Sequence, residues 1–70
     1  MADASNPLDQ FDAIAASNEA KRRGLGPVAE REFMMGAASA LGAHVPVPSL
    51  KFVNRRAEGF EWAKRSQVPA

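Results

Sequence analysis

Cysteine and tyrosine are absent from this 70-residue chain, and aromatic residues make up only 7% of it. Each shortage closes a class of chemistry. Without cysteine there is no disulfide framework, no thiolate nucleophile and no zinc site built on sulfur. The one histidine, His44, sits in a proline-rich stretch and cannot by itself make a two-histidine metal site. Gly24-Leu25-Gly26 is too short for a phosphate-cradling loop and follows no strand. No apolar run approaches the ~18 residues of a membrane span. The opening Met-Ala-Asp-Ala-Ser-Asn has neither the basic start nor the apolar stretch of a secretory signal. The expectation is a cytoplasmic protein without enzymatic activity, cofactor, metal or membrane attachment.

Hydrophobic residues form 46% of the chain, but 14 of them are alanine. Apart from Met1, only 17 larger apolar side chains remain: four Phe, four Leu, five Val, one Ile, two Met and one Trp. A core of that size supplies roughly 3–5 kcal/mol at best. Association is then the natural further source of stability, so a protein partner or a homodimer is expected. Net charge is only +1, yet it is unevenly spread. Residues 1–20 carry Asp3, Asp9, Asp12 and Glu19 and no base. Residues 51–65 carry Lys51, Arg55, Arg56, Lys64 and Arg65 against Glu58 and Glu61. This asymmetry points to head-to-tail complementarity or to a basic face near the C-terminus.

Proline and glycine divide the chain into three helices. Asn6-Pro7 reads as an N-cap followed by a first helical residue. Leu8, Phe11, Ile14 and Ala15 form an apolar stripe, and Lys21, Arg22, Arg23 and then Gly24 close a helix over about residues 7–23. Pro27 opens a second helix over about 27–42, with Phe33, Met34, Ala37, Ala40 and Leu41 on its apolar face and Gly42 as its stop. Pro46 and Pro48 force their predecessors into extended geometry. Ser49 then caps a third helix over about 49–66. Its Leu50, Val53, Ala57 and Phe60 share a face predicted to point inward, with Phe52, Arg56, Gly59 and Ala63 on an adjoining one. The short first connection makes helices 1 and 2 antiparallel neighbours. The predicted architecture is one all-α domain, a three-helix bundle or open helical array, with residues 1–6 and 67–70 frayed.

Two surfaces draw functional attention. Small residues recur from Gly36 to Ala43, so that Gly36 and Ala40 mark a helix-packing or oligomer seam. A mid-helix glycine costs about 1 kcal/mol relative to alanine, which implies a need for space. On the third helix, Phe52 and Trp62 flanked by Arg55, Arg56 and Gly59 have the composition of an interface hot spot. These five residues are the predicted partner-binding set, although Trp62 can equally cap the core over Met34 or Met35. Glu19 is expected to pair with Arg22 or Arg23, and Glu61 with Lys64 or Arg65.

A nucleic-acid reading competes. Ala38 to Gly42, a turn, and then Ser49 to Arg56 echo a helix-turn-helix, with Lys51, Asn54 and Arg55 facing the groove and Arg56 a phosphate. The six-residue turn with two prolines and the acidic first helix depart from that motif. A third reading is a small structural subunit of a larger assembly.

Glu32-Phe33 with the Met- and Ala-rich run to Leu41, then Ala57-Glu58-Gly59-Phe60-Glu61-Trp62-Ala63, resembles small helical proteins encoded by phages and prophages. The likeness covers about half the chain. It implies an inhibitor or regulator that occludes a protein of the host, and it transfers no catalytic residue.

Overall fold

The structure, a computed structural model, describes residues 11–68. Three α-helices carry the fold: α1 (Ala13–Arg22), α2 (Pro27–Ala40) and α3 (Val53–Ser66). One turn of 3₁₀ helix, Leu50–Phe52, leads into α3, and the described residues contain no strand. The predicted three-helix all-α architecture is therefore the observed one.

Local chemistry sets the helix ends. Asp12 is extended at φ −98°, ψ 95°, and its Oδ1 accepts from the Ala15 N–H at 2.9 Å. This is a side-chain N-cap worth about 1 kcal/mol. It corrects the expected continuous helix through Phe11 and Asp12; the expected cap Asn6-Pro7 lies outside the described residues. Gly24 ends α1 at φ +78°, and Gly42 follows α2 at φ +102°. Both build the same paired closure. The N–H groups of Gly24 and Leu25 donate to the Lys21 and Ala20 carbonyls, and those of Gly42 and Ala43 donate to Ser39 and Ala38. The left-handed conformation that makes this possible is one that glycine alone adopts without strain. Gly26 precedes Pro27 at the start of α2 and offers no side-chain cap; Pro27 has no N–H to satisfy.

Alanine dominates the core. Ala16, Ala37, Leu41 and Ala63 are enclosed, with Phe11, Met34, Ala40, Trp62 and Val68 packed against them. Phe33 is the largest side chain fully removed from solvent. Its ring lies 5.7 Å from that of Trp62, tilted by 45°, and 4.9 Å from the Arg23 guanidinium. α1 joins α2 through the buried Ala16 and Ala20 and through the Ser17 hydroxyl, which donates to Glu30 at 2.6 Å.

Gln67 and Val68 are tied down where fraying was expected; the rest of the segments expected to fray, 1–6 and 69–70, lie outside the described residues. Gln67 Nε2 donates to the Asp12 carbonyl at 3.0 Å, and its Oε1 accepts from the Asp12 N–H at 2.9 Å. Val68 packs on the core. One amide side chain thus closes the start of α1 against the end of α3.

Candidate functional site

The backbones of α2 and α3 meet with no room for a side chain between them. A Cβ on Gly36 would collide with the carbonyl of Arg56, and a Cβ on Gly59 would collide with the carbonyl of Phe33 and stand 3.1 Å from the Ala37 nitrogen. Each helix presents a glycine to the carbonyl lying three residues before the other's glycine. Gly36 is therefore a helix-packing residue within one chain. Gly59 is fully engaged in the same way, so it is not the partner-facing residue that was expected.

This clasp fixes the rotation of α3. Arg56, Gly59 and Ala63 are buried, and the face carrying them turns towards α2. Three of the four residues predicted to point inward point out instead: Leu50 is 94% exposed, Val53 45%, and Ala57 is exposed, while Phe60 is half-buried. Backbone approach explains the reversal. Only the glycine-bearing face lets two helices touch at this distance, and the dispersion attraction between such closely packed backbones outweighs enclosure of two valine- or leucine-sized groups. The expected apolar stripe of the first helix is split in the same sense, with Phe11 on the core and Ile14 74% exposed.

Arg56 is only 9% exposed. Its Nε donates to Glu32 Oε1 at 2.7 Å and its terminal NH2 to the Met35 sulfur at 3.1 Å. A guanidinium held this way cannot contact a phosphate, which removes Arg56 from the predicted nucleic-acid set. Arg55 is paired with Glu58 at 2.7 Å, and Glu58 also faces Arg23 at 3.9 Å. Trp62 is half-buried on Phe33 and so caps the core, over Phe33 and not over the methionines alone. Phe52 is half-buried with the Lys51 ammonium 5.7 Å from its ring centre. Lys51 and Asn54 are exposed.

Glu19 behaves as expected, binding Arg22 and Arg23 at 2.7 Å each. Hydrogen bonds from those two guanidinium groups hold its carboxyl at about 2. Glu61 does not. Among the described residues it forms no ion pair, because Lys64 turns its ammonium over the Phe60 ring, 5.4 Å from the centre. Nor do Lys51, Lys64 or Arg65 meet a described carboxylate. The outer side of α3 therefore carries three such cations against the single carboxylate of Glu61, the basic face that the charge distribution foreshadowed.

Beside the outward stripe lies an open groove of about 260 Å³, lined by Gly36, Ser39, Pro48, Arg56, Ala57 and Phe60. Gly36 and Arg56, one of the two contacts of the clasp, are part of its lining. Pro48, in the 43–49 connection between α2 and the 3₁₀ turn, also lines it, and its neighbour in sequence Val47 is 91% exposed. His44 is exposed in the same segment. The groove, the stripe Leu50–Val53–Ala57–Phe60 and the flanking cations make one continuous candidate surface on α3.

Among the described residues, no group of three or more His, Asp or Glu side chains stands close enough to hold a metal ion. None of the described helices is long and apolar enough to cross a membrane. No family model, no curated protein and no solved structure matches this chain.

Proposed function

We propose that this protein is a non-enzymatic protein-interaction module that docks a partner on the outer face of α3 and the adjoining groove. The observation that carries this reading is the outward apolar stripe. A chain with so few large apolar side chains leaves Leu50 94% exposed, Val53 45% and, just before them in sequence, Val47 91%. Contiguous exposed apolar surface rimmed by charge marks interaction sites. Of the five residues first expected to bind, Arg56 lines the groove, Gly59 and Trp62 are engaged with α2, Arg55 pairs with Glu58, and Phe52 is half-buried just before α3. An occluding role on a host protein, which the likeness to phage-type proteins implies, is the specific form proposed, acting in the cytoplasm.

The test is a differential capture. Wild type and the exposed-site variant Leu50→Glu are immobilised and challenged with lysate of the source cells. A protein retained by wild type and lost from the variant, and then shown to bind purified wild type in a defined stoichiometry, is the expected result. Equal retention by both overturns the docking face. Retention of nucleic acid, released by added salt, overturns the protein-binding reading in favour of Lys51 and Asn54 contacts. The circular dichroism of Leu50→Glu should match wild type, since the side chain has almost no neighbours to lose.

A further inference from the structure

Resting on that docking face, we infer that its occupant is an acidic amphipathic helix. Three features converge. The apolar positions Leu50, Val53, Ala57 and Phe60 recur at helical spacing along one outer edge of α3, the pattern that a second helix packs against lengthwise. From Val53 to Lys64 this edge spans about 16 Å at the α-helical rise, which with the preceding 3₁₀ turn at Leu50 matches a partner helix of at least three turns. The groove beside it holds about 260 Å³, below the ~300–1,000 Å³ of pockets that enclose a small-molecule ligand. It suits one bulky apolar side chain projecting from such a helix, the anchor of helix-in-groove recognition.

Charge selects the partner's sign. Lys51 stands at the start of the stripe and Lys64 and Arg65 at its end, none of them met by a described carboxylate. The described carboxylates on or against this helix are Glu32, held by Arg56, Glu58, held by Arg55, and Glu61, and of these only Glu61 forms no ion pair with a described residue. A partner helix with Asp or Glu at both ends of its apolar seam meets this pattern; a lysine-flanked helix meets repulsion. The aliphatic stem of Lys64 over Phe60 extends the apolar surface while its ammonium reaches the rim.

A display library tests this directly. Its members are 16-residue helical peptides with leucine fixed at i, i+3 and i+7 and with Glu, Lys and Gln randomised at the flanking positions. It is selected on the full chain. The expected result is enrichment of Glu-flanked sequences, with binding weakened about tenfold or more by Lys51→Glu combined with Lys64→Glu. Selection on that double variant should then favour Lys-flanked peptides. Arg65→Glu serves as a second charge variant should the double one lose its helical circular dichroism.

Binders lost with Val53→Glu but indifferent to flank charge overturn the acidic partner and leave the face standing. Binders unaffected by Val53→Glu overturn both. A library that yields no binder overturns the helical occupant. So does a second copy closed over the face, seen as a dimer in sedimentation that Val53→Glu dissociates. So too does occupancy by the chain's own residues 1–10, seen as Leu8→Ala shifting the amide resonances of Val53 and Ala57.

Discussion

The two faces of α3 invert the usual relation between hydrophobicity and burial. The inner face carries Arg56, Gly59 and Ala63; the outer carries Leu50, Val53, Ala57 and Phe60 just before and along the helix. By side-chain hydropathy the outer face belongs in the core. By size the inner face does, because Gly59 and Gly36 let the helices meet carbonyl to Cα. In a small domain whose core is mostly alanine, close backbone approach fixes the helix rotation, and bulk is left for the surface.

That contrast can be broken at its strongest point. Gly59→Ala adds a methyl where no space exists, and the favourable helix propensity of alanine, about 1 kcal/mol, offsets only part of the overpacking cost of roughly 1–3 kcal/mol or more. Because both Phe33 and Ala37 backbone atoms face the new Cβ, the upper end is expected, a net loss of about 2 kcal/mol or more, and chemical denaturation should find a markedly lowered midpoint. Next comes the ion pair under the clasp. Glu32→Gln leaves the enclosed Arg56 without its carboxylate and should cost about 1–3 kcal/mol; combining it with Arg56→Met, which removes both charges, should cost less than the sum of the two single changes. Gln67→Ala deletes both bonds to the Asp12 backbone and should cost about 1 kcal/mol, with hydrogen exchange accelerated at the first turn of α1.

An acid titration probes the surface in between. The Glu19 carboxyl sits at about 2 in the folded chain against 4.5 for the free group. A depressed carboxylate contributes stability that is complete above 4.5 and fades as pH falls towards 2. Thermal melts across that window should show a shallower acid decline in Glu19→Gln than in wild type. The smallest effect belongs to the outer face. Leu50→Ser and Val53→Ser should stay within about 0.5 kcal/mol of wild type, and a loss several times larger would place these side chains in the core after all.

Backbone punctuation was the most legible part of the sequence. Gly24, Pro27 and Gly42 mark ends that the structure keeps, because a left-handed residue or a missing N–H is a local property of the residue itself. The demand for space at Gly36 and Gly59 was also legible, but it is met inside the chain and not by a second molecule. The direction in which α3 faces was not legible: periodicity gives an apolar arc, whereas its rotation follows from two glycines 23 positions apart meeting across a crossing. The Asp12–Gln67 closure, which joins residues 55 apart, leaves no mark in composition. Aromatic-plus-arginine composition on α3 did not separate fold residues from surface ones. Trp62 and Gly59 serve the fold, whereas the exposed Leu50 and Val53 were assigned to it.

The clasp also sets how this domain can change over generations. At Gly36 and Gly59 no larger residue fits without parting the helices, so those two sites are closed to drift. On the other side of the same helix and just before it, the exposed Leu50, Val53 and Ala57 have few internal neighbours to constrain them and are open to wide exchange. The composition of one side of a single helix can thus be rewritten while the architecture on its other side stays untouched.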